Sequence, residues 1–154
     1  MRQTITFKEI LQEEEIKTYI RRADLSLERM GFTEHSFAHV MRVSKCAGDM
    51  LQQLGYDEHD VELARIAGYM HDIGNVINRI DHAQSGAIMA FRILDKMGMQ
   101  YEDIAKIIAA IGNHDESTAF PVSDVAAALI IADKSDVRRS RVRNADKSSF
   151  DIHD

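Results

Sequence analysis

Apolar residues recur at the 3.6-residue spacing of a helix through most of this chain, and this spacing limits the possible folds more than any other feature. The sequence has one proline, few aromatic residues and no alternating apolar and polar segment that requires a strand. We therefore predict an all-α fold. The expected helices lie near residues 7–30, 34–54, 57–73, 82–98, 101–114 and 121–137.

Residue types typical of helix ends accompany these boundaries. The expected N-caps are Thr33, Asp57 and Asp81, because their side-chain oxygens can accept hydrogen bonds from the first turn of a helix. Pro121 suits the first position of the last helix, where its missing N–H is not needed. The glycines expected to end helices are Gly31, Gly55, Gly74 and Gly98.

The length of 154 residues predicts one domain over 1–154. No apolar run reaches the roughly 18 residues that a membrane span needs. A single cysteine cannot form an internal disulfide, and the charged start lacks a signal-peptide core, so we expect a cytoplasmic protein. Residues 145–154 are expected to be loosely attached. The oligomeric state stays open, since Ile10, Ile16 and Ile20 suit either the core or a partner.

The net charge of −6 argues against nonspecific nucleic-acid binding, which depends on many Lys and Arg contacts to phosphates. A local basic patch nevertheless follows the last helix. Its cations either pair with acidic helix faces or form a rim that attracts a small phosphorylated ligand. These residues are Arg138, Arg139, Arg141, Arg143 and Lys147.

Histidines and aspartates fall at the ends or inner faces of different predicted helices. His71 and Asp72 are adjacent at the end of the third helix, and His39 borders the interior of the second. His114 continues an isoleucine stripe, and Asp133 continues the apolar stripe of the sixth helix. The expected cluster comprises His39, His71, Asp72, His82, His114 and Asp133.

A buried aspartate must take up a proton or find a cation, because an unpaired buried carboxylate is costly. For Asp133 alone, a structural salt bridge with Arg42, Lys134 or Arg138 remains an alternative. The whole set favours a metal site, since imidazole with carboxylate suits Fe, Mn, Zn, Co or Ni. We therefore predict one or two divalent transition-metal ions.

The ordered pattern of these residues resembles the HD superfamily of metal-dependent phosphohydrolases, which are all-α proteins. The match spans about residues 33–143. Its H…HD…D signature is His39 in HVMRV, His71 and Asp72 in YMHDIGN, and Asp133 in IADKSDVRR. His82 in DHAQSGA and His114 in GNHDES resemble the two further histidines of the dinuclear branches, which include cyclic-dinucleotide phosphodiesterases and symmetrical dinucleoside-polyphosphate hydrolases.

The resemblance implies that His39, His71, Asp72 and Asp133 hold a first metal. It also implies that Asp72 bridges to a second metal held by His82 and His114. A metal-bound hydroxide would then attack a phosphoester or phosphoanhydride bond in a nucleotide-like small molecule. Asp72 is the expected catalytic residue.

The cyclic-dinucleotide branch is disfavoured, because it has Lys where this chain has Asn75 and carries a Gly-Tyr-Pro element that is absent here. Asn75, Lys134 and Arg138 are candidate substrate-binding residues, although a surface or structural role is open for each cation. His35 lies one turn before His39. It is expected either to support a ligand or to lie on the surface, and a direct ligand role stays open.

A second interpretation belongs to a different functional class. The chain can also be a noncatalytic HD module that binds a nucleotide or a partner protein and uses its metal structurally. The sequence also ends soon after the sixth helix, where related proteins often continue with another helix. A shortened core and a truncated chain are the two alternatives.

Overall fold

Seven α-helices and one 3₁₀ turn form the regular structure of this computed structural model, which describes residues 1–137. Within that range no strand forms, and a single parallel bridge joins Gln3 to Met99. The all-α prediction is confirmed. The elements are α1 (Phe7–Leu11), α2 (Glu14–Arg29), α3 (Phe37–Gln53), α4 (Glu58–Met70), the 3₁₀ turn (Ile73–Val76), α5 (His82–Lys96), α6 (Tyr101–Gly112) and α7 (Asp124–Ser135).

The first predicted helix is two helices, and the break has a packing reason. Thr6 and Glu9 form a capping box that starts α1, and Glu13 adopts an extended conformation before α2. In one continuous helix Ile10 would point about 120° away from Ile16. The break lets both side chains reach the core, where neither is exposed. Ile20 is buried with them. In the described structure all three isoleucines therefore belong to the core instead of a surface for a partner.

Several predicted helix ends differ from the observed ones. Asp57 caps α4 as expected, with its carboxylate accepting from the Asp60 N–H, whereas Ser36 rather than Thr33 is the N-cap of α3. Tertiary contacts hold the segment before Ser36, because the His35 N–H donates to Asp24. The expected first position at Pro121 is wrong, because α7 begins after the Ser123 cap. Positive φ angles occur at Gly31, Gly55 and Gly98, as expected for glycines after helices.

Helix α4 lies at the centre of the described fold and packs against α1, α3, α6 and α7. Its apolar residues are buried around most of its circumference, which is typical of a core helix. A Cβ on Gly68 would lie 2.7 Å from the Ser44 Cα, so α3 and α4 approach too closely there for any side chain. This close approach brings the end of α4 beside the start of α3. None of the described helices has the length and apolarity needed to cross a membrane.

Gly74 does not end a helix as predicted, because it lies inside the 3₁₀ turn and packs against the start of α5. We expect Gly74→Ala to lower the free energy of unfolding by about 3 kcal/mol. An added Cβ would lie 2.0 Å from the His82 carbonyl oxygen and 2.5 Å from the Gly86 nitrogen, so backbone has to move. Urea denaturation measures the change.

Gly112→Ala is the matched control for this substitution. Its Cβ would meet only the Ala87 Cβ, at an ordinary 3.6 Å, and alanine favours a helix over glycine. The control is expected to be neutral or slightly stabilising. Equal stability of the Gly74→Ala and Gly112→Ala proteins would contradict the packing argument.

Candidate metal centre

One end of the helical bundle gathers the six side chains expected to form a cluster. His71 is the C-cap of α4, and the chain turns at Asp72 into the 3₁₀ turn. His82 is the first residue of α5, and His114 follows the end of α6. All four histidines of the set and Asp72 are buried, and the Asp133 side chain keeps 19% of its surface exposed. The contributing positions are His39, His71, Asp72, His82, His114 and Asp133.

Four of these side chains form a first cluster of donor atoms. His39 Nε2 lies 3.1 Å from Asp133 Oδ1 and 3.4 Å from Asp72 Oδ2. His71 Nε2 lies 3.2 Å from Asp72 Oδ2 and 3.3 Å from Asp133 Oδ1. Ligands about 2.1 Å from one cation are about 3.0 to 3.5 Å from each other, so these separations match a single divalent ion.

A second cluster uses the other carboxylate oxygen of Asp72. His82 Nε2 and His114 Nε2 each lie 3.8 Å from Asp72 Oδ1, and they are 3.2 Å apart. The two oxygens of Asp72 therefore face different groups of histidines. This is the arrangement in which one carboxylate can bridge two cations.

Each histidine ring is held through its outer nitrogen, Nδ1, and this leaves Nε2 as the nitrogen that faces the clusters. Nδ1 of His71, His82 and His114 donates to the carbonyl oxygens of Gly68, Arg79 and Ile111, at 2.7, 3.1 and 2.6 Å. A carbonyl oxygen only accepts, so each Nδ1 carries a hydrogen and each Nε2 points inward. Metal-bound histidines in proteins are held in the same way.

Nδ1 of His39 contacts a carboxylate instead of a backbone carbonyl, and the sequence did not predict that carboxylate as part of the site. Its Nδ1 donates to Asp136 Oδ2 at 2.8 Å, and Asp136 is buried. The carboxylate orients the ring and makes its Nε2 a better electron donor. The only local signal for Asp136 was its position three residues after Asp133, at the end of α7.

Opposite charges balance one another in the first cluster. Burial opposes ionisation of Asp72 and Asp133, but the positive charge of His71 overcomes it and holds both carboxyl pKa values well below their usual range. Burial also opposes protonation of His71, yet Asp72 and Asp133 raise its pKa well above normal. The carboxylates of Asp133, Asp136 and Asp72 similarly outweigh burial and raise the His39 pKa to about 9.

The second cluster has the opposite electrostatic character. Burial lowers the pKa of His82 to about 4, with Arg79 and His114 opposing its protonation as well, although Asp72 acts in the other direction. His82 is therefore neutral at pH 7. With a hydrogen on Nδ1, its Nε2 carries a lone pair that faces the His114 Nε2. A lone pair in this position is suited to a cation.

Three buried polar atoms of the first cluster lack a hydrogen-bond partner: His39 Nε2, His71 Nε2 and Asp133 Oδ1. They lie within ion-pair distance of one another without the geometry of a hydrogen bond. Such atoms are rare in proteins, and each costs about 1 to 3 kcal/mol when it is left unsatisfied. A divalent cation among them would satisfy all three. The residues present thus fit a metal ion.

His35 belongs to the same buried region, so the surface interpretation of this residue is wrong. Its side chain is 2% exposed, and its Nδ1 donates to Asp72 Oδ2 at 2.6 Å. His35, His39 and Asp72 form one of three groups of donors able to hold a metal ion. The contact shows that His35 orients the carboxylate that the two clusters share.

The expected substrate-binding residues have different surroundings. Asn75 is buried, with its Nδ2 donating to the Asp72 carbonyl at 3.0 Å and its Oδ1 accepting from Arg79 at 3.3 Å. Lys134 lies in the mouth of the site and pairs with Glu116 at 3.3 Å. Arg42 lines a separate groove beside Cys46. The basic patch lies outside the described residues: Arg138, Arg139, Arg141, Arg143 and Lys147.

The mouth of the site opens beside the second cluster. Its walls place Arg79, Asp115 and Glu116 next to His82 and His114, and Asp133 and Lys134 complete the lining. Sequence analysis did not single out Arg79. Its signal was modest, a cation in the loop between the His-Asp doublet and the next histidine.

Comparisons with known proteins identify a matching protein family and a similar crystal structure. The model of the HD domain family matches residues 36–146. The crystal structure of a predicted HD superfamily hydrolase from an uncultured Thermotogales bacterium matches with a TM-score of 0.62 at 26% identity, covering 84% of this chain and 73% of that chain.

Two relatives show similarity at the level of sequence. An uncharacterised protein of Methanocaldococcus jannaschii is 24% identical over 170 residues, which cover 96% of this chain and 65% of the relative. Ribonuclease Y of Bacillus thuringiensis is 30% identical over 116 residues, which cover 75% of this chain and 21% of that enzyme. The chain thus spans about two thirds of the first relative and about a fifth of the second.

Proposed function

The chain belongs to the HD domain family, and on this premise we propose that it is a metal-dependent phosphohydrolase acting on a nucleotide-like small molecule. The bond that it cleaves is a phosphoester or a phosphoanhydride. One observation carries the proposal: inward-facing Nε2 atoms of buried histidines converge on a carboxylate whose two oxygens face separate groups.

The proposed ligands divide into two sets that share one residue. His39, His71, Asp72 and Asp133 would hold one divalent ion, and His82 and His114 would hold a second with the same Asp72. When bound, such ions lower the pKa of a water molecule, supply the attacking hydroxide near neutral pH and offset negative charge in the transition state.

The chain's own residues provide the geometry for this chemistry. His35 holds Asp72 Oδ2, and Asp136 holds the His39 ring. Backbone carbonyls fix the other rings, so each inward nitrogen keeps its direction with little loss of side-chain entropy on metal binding. Burial of the donors excludes bulk water and strengthens their electrostatic interactions.

The test uses the full chain, stripped with a chelator and reloaded separately with Mn, Co, Ni, Fe or Zn. Each form is assayed against p-nitrophenyl phosphate, bis-p-nitrophenyl phosphate and a panel of nucleotides. We expect hydrolysis that appears on reloading and is absent from the stripped protein. A folded, metal-loaded protein that hydrolyses none of these compounds would contradict the proposal and favour the noncatalytic module.

We expect His114→Ala to lower the bound metal from two ions to one per chain. His114 contributes to the second cluster, whereas the donors of the first cluster remain in place. Elemental analysis of protein loaded under saturating metal gives the stoichiometry. His59→Ala is the matched control, because His59 pairs with Asp103 at 2.8 Å, away from both clusters, and should leave the metal content unchanged.

An unchanged content of two ions in the His114→Ala protein would contradict the assignment of His114. Loss of both ions would mean that the two clusters do not bind independently. Circular dichroism establishes that each variant remains folded.

A further inference from the structure

His35 lies in the irregular segment between α2 and α3, and contacts with distant residues fix its position. Irregular segments normally run over the surface of a protein, yet this side chain is buried. The His35 backbone N–H donates to Asp24 Oδ1 on α2 at 2.9 Å. Its ring packs edge-on against the His39 ring, with 5.1 Å between the ring centres. The ring therefore stays beside the site although no helix holds its backbone.

The contact between His35 and Asp72 is a hydrogen bond from an imidazole to an ionised carboxylate. Burial opposes ionisation of Asp72, but His71 and His35 hold its carboxyl pKa well below the usual range. An ionised carboxylate only accepts, so the hydrogen lies on His35 Nδ1, which is 2.6 Å from Asp72 Oδ2. Hydrogen bonds to a charged acceptor are roughly twice as strong as those between neutral groups.

This hydrogen bond fixes the orientation of the Asp72 carboxylate relative to both donor clusters. Oδ2, the oxygen that His35 holds, lies 3.2 Å from His71 Nε2 in the first cluster. Oδ1 lies 3.8 Å from the Nε2 atoms of His82 and His114 in the second cluster. Each oxygen thus faces one cluster as long as the carboxylate keeps this orientation.

The terminal torsion of an aspartate side chain is soft, so something has to hold the carboxylate in place. Carboxylates in proteins bind a metal ion through one oxygen or through both. Rotation of Asp72 would move Oδ2 away from His35 and Oδ1 away from the second cluster. His35 opposes that rotation, because it would break a buried hydrogen bond to a charged group.

We propose that His35 sets the number of bound ions at two, by holding Asp72 in the orientation that serves both clusters. The inference rests on the proposed function of the metal centre. His35 is a positioning residue that acts through Asp72, and it is not itself a ligand. Among the described residues the second cluster has two donors besides the shared carboxylate, and the first cluster has three. The second ion should therefore depend on His35 more than the first.

The first test measures metal binding and does not depend on turnover. Mn is titrated by calorimetry into stripped wild type, His35→Ala and His35→Asn, and elemental analysis counts the ions that each protein retains. We expect His35→Ala to bind the second ion at least roughly tenfold more weakly and the first with little change. His35→Asn should bind the second ion more tightly than His35→Ala, because its amide nitrogen takes the place of Nδ1.

The second test detects whether the ions share a ligand. Two Mn ions that share a carboxylate are magnetically coupled, whereas isolated ions are not, and electron paramagnetic resonance distinguishes the two cases. Wild type and His35→Asn should give the coupled spectrum. His35→Ala with the same amount of Mn should give the spectrum of isolated ions. Loss of stability alone would not produce this difference in a protein that remains folded.

His59→Ala is the matched control, since His59 Nε2 also contacts a buried carboxylate, that of Asp103, at 2.8 Å. It should bind both ions as the wild type does. His35→Leu fills the buried space without a donor, and it should lose the second ion as His35→Ala does. If His35→Ala does not fold, the comparison of His35→Leu with His35→Asn decides the question.

Three results would overturn the proposal. The first is equal affinity for the second ion in wild type and in the folded variants without a donor. The second is a wild type that holds fewer than two ions. The third is a third ion in wild type that His35→Ala loses, because His35 would then be a ligand.

The proposed function can fail separately from this inference. Two ions whose binding depends on His35, without hydrolysis of any ester, would leave the inference standing and reject the proposed phosphohydrolase. Metal-dependent hydrolysis by a His35→Ala protein that binds both ions as tightly as wild type would have the opposite meaning.

Discussion

Asp72→Asn is expected to lower the hydrolysis rate by about a thousandfold or more, equivalent to about 4 kcal/mol in the activation barrier. The substitution keeps the shape of the side chain but removes the charge that both donor clusters share through Oδ1 and Oδ2. Bound metal should fall as well, because an amide is a weaker ligand than a carboxylate. Rates on p-nitrophenyl phosphate and elemental analysis provide the two measurements.

Asp49→Asn serves as the control for Asp72→Asn, because Asp49 pairs with Lys45 on α3 outside both clusters. Its rate and metal content should match the wild type. Circular dichroism of both proteins should show the same helix content. A folded Asp72→Asn protein with full activity and full metal would remove the basis of the proposed chemistry.

Metal binding is expected to stabilise the fold by about 4 kcal/mol when the free ion exceeds its Kd by about a thousandfold. The unfolded chain has no preformed site, whereas the first cluster of the folded chain includes three buried atoms that lack a hydrogen-bond partner. For a chain of this size the midpoint Tm should rise by roughly 10 °C. Differential scanning calorimetry of stripped protein with increasing Mn measures the shift.

The Asp72→Asn protein is the control for this experiment, and its Tm should respond much less to the same additions. His59→Ala, whose altered side chain lies outside the clusters, should retain the full response. An unchanged wild-type Tm at saturating metal would mean that the three atoms without a hydrogen-bond partner are not metal ligands.

Local sequence patterns predicted much of the helical architecture. The 3.6-residue spacing located the central helices within a few residues, and the stops at Gly31, Gly55 and Gly98 have the expected positive φ. The break between α1 and α2 escaped prediction, because Ile10 and Ile16 follow an acceptable helical pattern on either side of it. Only the shape of the core decides that both must be buried.

The residue types of the site were visible in the sequence because imidazoles and carboxylates stand out on apolar helix faces. The pattern did not reveal which atoms meet. His39 and Asp136 are 97 positions apart, and His35 is 37 positions from Asp72. Arg79 likewise could not be predicted, because only the tertiary structure shows its contact with Asn75 and its position in the mouth of the site.

The sequence by itself determined the helical class and the chemical character of the candidate ligands, because periodicity and residue type are local properties. The tertiary structure decided that the two oxygens of Asp72 face different groups of histidines. It also decided that each Nε2 points inward, and which groups hold the histidine rings. These depend on how α3, α4, α5, α6 and α7 pack against one another. Packing is set by the summed burial of distant residues, so no short stretch of the chain encodes it.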